Sequence, residues 1–150
     1  MIKKLQDVLH SDIPLTSAIG IEVVEYNNNE LTLSAPLENN VNHKATAFGG
    51  SLYSVCVLSG WSLIYLLLKE RGLTGHIVIQ DSNTRFLRPV TTNIIAKCAF
   101  ESDEQCEKFI RSYKRKGLAR IRLQSRVVCN HQTNVIFEGS YVVHNRAKGI

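Results

Sequence analysis

The run Leu52–Leu68, LYSVCVLSGWSLIYLLL, constrains this chain more than any other segment. A stretch this apolar must be hidden from water, in a bilayer or in a protein core. It contains three serines and one glycine, and it falls short of the about 20 apolar residues that a bilayer crossing needs. It therefore reads as a helix buried on nearly all sides. A helix of that kind needs a layer wrapped around it.

The flanking segments supply strands for such a layer. Ile21–Tyr26 and Leu31–Ala35 read as strands joined at Asn27-Asn28-Asn29, residues that tolerate left-handed backbone, so the pair reads as a hairpin. A short helix is expected before Pro14. After Pro36 the stretch LENNVNHKATAFGG is irregular, and the long helix is expected to end near Gly72, with Lys69 and Arg71 complementing its dipole. IVIQD with TRFLRPV, and then IIAKCAF, are strand-like. Ser102 and Gln105 form a capping-box pattern at the start of a helix that Gly117 stops. Ile121, Leu123, Ser125, Val127 and Cys129 share one strand face, and Arg120, Arg122, Gln124 and Arg126 share the other. After a turn over Asn130–Asn134, Val135, Phe137, Gly139, Tyr141 and Val143 form a second apolar stripe. The economical arrangement is α+β, an antiparallel sheet curled around one central helix. No repeat, low-complexity stretch or linker divides the chain, so residues 1–150 read as a single domain.

Composition excludes several classes. At 44% hydrophobic and 21% charged residues, the chain is too apolar for disorder. The N-terminus MIKKLQDVLHSDIPL breaks into polar residues too soon for a secretory signal. Cys56, Cys98, Cys106 and Cys129 show no C-x-x-C pair and no zinc-ligand spacing; they read as free thiols of a cytoplasmic protein without a metal. The net charge of +5 suits an acidic carrier protein or a phosphorylated cofactor, or else simply solubility. No aromatic-interleaved basic motif supports nucleic-acid binding.

Chemistry concentrates in Asn42-His43-Lys44-Ala45-Thr46-Ala47-Phe48-Gly49-Gly50-Ser51, just ahead of the buried helix. Paired glycines at a helix start allow close approach of a ligand or of another backbone. First-turn amides there lack intrahelical partners and sit at the positive end of the dipole. They suit a carbonyl oxygen that gains negative charge, as in acyl-thioester chemistry. A tight turn would use the same residues.

The pattern N-x5-F-G-G-S, the apolar helix after it and then DSNTRFLRPV resemble the hot-dog thioesterase superfamily. Within that superfamily, NHKATAFGGSLYSVCVLSGW is similar to the thioesterase-like family named for the C-terminal domain of YiiD. Asn42 matches that pattern's Asn, and Phe48-Gly49-Gly50 matches its His-Gly-Gly, with phenylalanine in place of histidine. The resemblance spans roughly Ser11 to His144 and implies the stand-alone form, without an acetyltransferase domain. It further implies a homodimer or homotetramer with the thioester tunnel between subunits, near Gly49, Gly50 and the partner's strand around Asp81. Acyl-CoA or an acyl carrier protein would be the partner, with coenzyme A or phosphopantetheine entering as part of the substrate and no separate cofactor.

Many hot-dog thioesterases carry a catalytic Asp or Glu about two turns past the glycines. Here that region reads Tyr53-Ser54-Val55-Cys56-Val57-Leu58-Ser59, without a carboxylate. Three residues are candidates to stand in. His43 reads either as a general base or as a loop histidine with one ordinary hydrogen bond. Asp81 reads as a water-activating group or as an acceptor for loop amides. Ser51 reads as a donor to the thioester carbonyl or as a helix cap. Asn42 suits positioning of a thioester or a water, or an Asx-type turn. Cys56 reads as packing. Lys44, Arg85 and Arg88 are candidates for phosphates or an acidic carrier surface; Arg120, Arg122 and Arg126 read as a solvated sheet face or part of a docking patch. Three functions follow: a thioesterase of acyl-CoA or acyl carrier protein, a malonyl-thioester decarboxylase that needs no water-activating base, or a non-catalytic acyl-thioester binding module.

Overall fold

The computed structural model describes residues 1–146. Its six strands form one antiparallel sheet in the order β1-β2-β4-β5-β6-β3. The strands are β1 (Glu22–Asn27), β2 (Glu30–Ala35), β3 (His76–Phe86), β4 (Ile94–Ala99), β5 (Leu118–Cys129) and β6 (Gln132–His144). The helices are α1 (Ile2–Asp12), α2 (Leu15–Ile19), α3 (Leu37–Asn40), α4 (Gly49–Glu70) and α5 (Asp103–Lys116).

Helix α4 is the apolar run, and the sheet curls around it. Val55, Cys56, Leu63, Ile64 and Leu66 on α4 are fully buried, against inward residues such as Leu33, Ala96, Val127 and Phe137 of the strands. The helix has the length and hydropathy of a membrane span, yet 67% of its most apolar window lies inside the fold. Core packing accounts for its composition. Tyr141 fixes one contact between sheet and helix. Its hydroxyl donates to the Val57 carbonyl at 2.8 Å, and a β-carbon at Gly60 would sit 2.3 Å from that oxygen. Only glycine admits this approach.

Two further helices pack on the wrapped sheet and α4. Helix α1 buries Leu5 and Leu9, and Gln6 accepts from the Val23 N–H at 2.8 Å. Helix α5 lies at the C-terminal end of α4, where Tyr113 donates to the Thr74 carbonyl at 2.6 Å and Arg71 pairs with Glu107. Ser102 caps α5 by accepting from Gln105 N–H at 3.1 Å. The reciprocal arm lands one residue earlier than a capping box predicts, since Gln105 accepts from Glu101 N–H at 2.8 Å. Gly117 ends α5 with φ 68°.

The first hairpin turns as expected, with φ 52° at Asn28 and 60° at Asn29. Two expectations need correction. The β5–β6 turn is not Asn130–Asn134 but the tighter Asn130-His131 pair, with φ 52° and 66°, so Gln132 already belongs to β6. The strand expected to run to Val90 stops at Phe86. Leu87 and Arg88 donate their N–H groups to one carbonyl, that of Asn134, at 2.8 and 3.2 Å, and Pro89 has no N–H to extend a ladder.

Candidate functional site

The loop between α3 and α4 is folded around the side chain of Asn42. Its Oδ1 accepts from the N–H groups of Lys44 (2.8 Å) and Thr46 (3.1 Å). Its Nδ2 donates to Thr46 Oγ1 at 2.8 Å, and its own N–H donates to the Thr46 carbonyl at 2.7 Å. Inside this ring Ala45 adopts φ 62°, a left-handed conformation that costs a residue with a β-carbon about 1 kcal/mol. A bridge between Val41 and Ala47 and a 2.8 Å bond from Ala47 N–H to the Val90 carbonyl fasten the loop to the body. Asn42 therefore makes the Asx-type turn, and the second hydrogen of its amide is unbonded among the described residues.

His43 is exposed at the tip of this loop. Its ring has no hydrogen-bond partner among the described residues, so the ordinary structural bond considered for it is not made.

Phe48 holds the N-cap position in extended conformation and provides no side-chain cap. The first intrahelical bond runs from Leu52 N–H to the Phe48 carbonyl at 3.0 Å. The N–H groups of Gly49, Gly50 and Ser51 precede it and are the unspent amides of the first turn. Ser51 is not a cap, correcting that alternative: it sits inside the first turn, past the cap position. The exposed rings of Phe48 and Phe86 flank the glycines. A β-carbon at Gly50 would lie 2.4 Å from the Phe48 ring, and one at Gly49 would lie 3.8 Å from Phe86.

Strand β3 runs beside α4 and brings in residues that the linear sequence did not single out. Tyr53 bonds Ser82 hydroxyl to hydroxyl at 3.1 Å, and its ring meets Phe137 edge-on, centroids 5.8 Å apart. Thr84 Oγ1 is buried there without a partner among the described residues. Tyr53 carried a signal, because it lies three residues past Gly50 and so on the same helix face. Ser82 and Thr84 carried none, because a bulge decides which way they point. The β3–β6 register shifts between Ile79 and Asp81, which turns Ser82, Thr84 and Phe86 toward α4.

That bulge also decides the place of Asp81. It is exposed, and with Gln80, Arg120, Arg122 and Ser140 it lines a shallow hollow on the outer face of the sheet. Within one chain it neither faces the glycines nor accepts from loop amides, which corrects the structural alternative considered for it. Arg85 alternates with Thr84 and Phe86 and so lies on the outer face as well. Lys44 is exposed on the loop. Arg88 donates to the Thr133 carbonyl at 2.7 Å, which ties it to the β6 end. Arg122 and Arg126 lie 3.6 Å from Glu138 and Glu30, and Arg120 donates to Gln80 at 3.2 Å. Arg122 and Arg126 are thus paired with carboxylates, while Arg120 is held by a neutral amide, and all three lie on the solvated sheet face.

The Cys56 thiol is fully buried, and burial pushes its pKa up to about 12. It packs, as expected. Among the described residues no three His, Cys, Asp or Glu side chains gather as a metal cluster.

An antiparallel sheet wrapped on one apolar helix, whose uncapped glycine start meets an ordered loop, defines a hot-dog domain of the thioesterase-like class. The chain belongs to the family described as "Putative thioesterase (yiiD_Cterm)", whose model matches residues 2–145. Among solved structures, a Chlorobaculum tepidum TLS protein of unknown function is 32% identical, with 96% of this chain and 94% of that one covered and a TM-score of 0.92. A Shewanella oneidensis protein described as a "putative thioesterase" is 28% identical over 95% of this chain and 96% of that one, with a TM-score of 0.84. A thioesterase of Pseudomonas aeruginosa, solved in a mutant form, shares the fold at 13% identity, covering 96% of this chain and 94% of its own at a TM-score of 0.73.

Proposed function

We propose that this chain binds acyl thioesters of coenzyme A or of an acyl carrier protein at the start of α4 and hydrolyses them. The observation that carries the reading is the row of unspent N–H groups at Gly49, Gly50 and Ser51, uncapped by Phe48 and directly preceded by the ordered loop that contains His43. The amides take the carbonyl oxygen as it gains charge. His43 removes a proton from the attacking water and returns it to the leaving thiol. The spare hydrogen of Asn42 orients the water or the carbonyl. Lys44 and Arg85 meet the phosphates or the carrier surface, Arg88 being partly committed to Thr133. Four free, buried cysteines accord with a reducing cytoplasm.

A second copy is part of this reading. Among the described residues β3 ends the sheet with one edge unpaired, and Val78, Phe86, Leu87 and Phe48 are large apolar residues left exposed on or near it. Such an edge is stabilised by pairing with another chain. Pairing would also supply each site with the partner's β3, where Asp81 sits.

A second chemical reading has its own support. From Gly50 to Leu68, α4 carries no carboxylate, and the groups beside the glycines are the hydroxyls of Ser51, Tyr53, Ser82 and Thr84. A malonyl thioester would meet no repelling charge there, and the same amides stabilise the enolate left by loss of carbon dioxide.

Mass spectrometry of products from acetyl, medium-chain, long-chain and malonyl thioesters on both carriers separates these readings. Free carrier thiol supports hydrolysis. Acetyl thioester with carbon dioxide, from the malonyl substrate alone, replaces hydrolysis by decarboxylation. Tight binding with no product leaves a binding module.

A further inference from the structure

We infer that Tyr53 is a specificity-determining residue that limits the acyl group to a short one. The inference rests on the thioester reading of the α4 start. Tyr53 is three residues past Gly50, on the same helix face and about 4.5 Å further along the axis. It is 37% exposed, so its ring is not sealed into the core, yet it is anchored twice. Its hydroxyl bonds Ser82 on β3 at 3.1 Å, and its ring edge meets the fully buried Phe137.

The Tyr53–Ser82 bond bridges α4 to β3 and closes the seam between them one turn beyond Gly50. Further along, Trp61 closes the same seam. Its Nε1 donates to the Ile77 carbonyl at 3.1 Å, and its ring stacks on Tyr65 with centroids 5.6 Å apart. A thioester carbonyl held by the Gly49 and Gly50 amides directs its acyl carbons at the Tyr53 ring. A short group ends against that ring. A long chain entering the seam must break the Tyr53–Ser82 bond and displace a ring already packed on Phe137.

The test uses the intact protein and reads binding as well as turnover. Dissociation constants are measured for non-hydrolysable ketone analogues of coenzyme A thioesters, in which a methylene separates the sulfur from the carbonyl, with ethyl, butyl, octyl and hexadecyl groups. kcat/KM is measured for the matching thioesters in the wild type, Tyr53→Ala, Tyr53→Leu and Tyr53→Phe. Wild-type affinity is expected to fall roughly 100-fold between the butyl and octyl ligands, the scale on which pockets discriminate by size. Tyr53→Ala and Tyr53→Leu should remove that fall, and Tyr53→Phe should keep it because the ring is the obstacle. Tyr53→Leu covers the case in which the alanine variant fails to fold. Equal affinity of the wild type for all lengths, or an unchanged profile in both Tyr53→Ala and Tyr53→Leu, overturns the limit and leaves the thioester reading standing. Absence of binding and turnover at every length, on coenzyme A and on acyl carrier protein alike, overturns the thioester reading and the limit with it.

Discussion

The amide of Asn42 donates to the hydroxyl of Thr46 across 2.8 Å, and this bond closes the turn that carries His43. Two N–H groups bond the oxygen of the same side chain, so Asn42→Ala frees three partners at once. Unfolding free energy should drop by about 1–2 kcal/mol, and turnover should drop at least roughly 10-fold as the loop loses its shape. Thr46→Val, which removes one bond, should cost less on both counts. Chemical denaturation and kcat/KM on the preferred thioester check both; unchanged kinetics in Asn42→Ala would remove the loop from the mechanism.

His43→Ala separates chemistry from folding. The ring is exposed and bonded to nothing among the described residues, so the thermal midpoint should stay within the narrow range of surface substitutions. Turnover should nevertheless fall at least roughly 10-fold if the ring moves the proton of the attacking water. Undiminished hydrolysis by this variant would assign the proton transfer elsewhere.

Gly60 predicts an unfolding phenotype without any role in catalysis. A β-carbon there would lie 2.3 Å from the Tyr141 hydroxyl and 2.5 Å from the ring carbon that bears it. Gly60→Ala should destabilise by about 1–3 kcal/mol. Tyr141→Phe alone should cost about 1 kcal/mol through the lost bond to the Val57 carbonyl. It should not rescue Gly60→Ala, because the ring atoms still clash. Rescue in the double variant would mean that the hydroxyl alone sets the spacing.

Three thiols set a limit at alkaline pH. Burial pushes Cys56 up to about 12, and Cys98 and Cys106 up to about 11, from an ordinary value of 9.0. The folded state keeps these protons while the unfolded chain releases them, so stability falls as pH rises. The contribution is complete below about 9 and is lost between about 9 and 12. The thermal midpoint should decline across that window, less steeply in Cys56→Ala. A parallel decline in the variant would show that Cys56 does not titrate in this way.

The free edge of β3 should hold two copies together. Val78→Lys with Leu87→Glu puts charge on exposed apolar positions at that edge, a change that blocks strand pairing. Sedimentation should show a dimer or larger for the wild type and a monomer with reduced turnover for the variant. A wild-type monomer with full activity would contradict a shared site.

Much of the fold was legible in the linear pattern because its causes are local. Leu52–Leu68 is too apolar to lie anywhere but inside, Asn28 and Asn29 tolerate left-handed backbone, and Ser102 and Gly117 mark the two ends of α5 by hydrogen bonding and by φ. The period-2 alternation from Ile121 to Cys129 named the inward face of β5 residue by residue. The N-x5-F-G-G-S spacing likewise marked the loop that Asn42 organises and the helix start at Gly49.

The rest depended on contacts between distant segments. A single extra residue in β3 turns Asp81 to the outer face and Ser82 and Thr84 to the inner one, and strict alternation cannot reveal it because the register belongs to the β3–β6 pair. Phe48 rather than Ser51 ends up at the cap position because the loop is fastened at Asn42 and Val90, some of it far away in sequence. The bond from Tyr53 to Ser82 joins residues 29 positions apart and exists only once α4 and β3 lie side by side. The sequence by itself determined which segments are buried and where the chain turns, since burial and turning are properties of short stretches. The tertiary structure alone decided which side chains share the space beside Gly49 and Gly50, since that depends on how two separately formed elements register against each other.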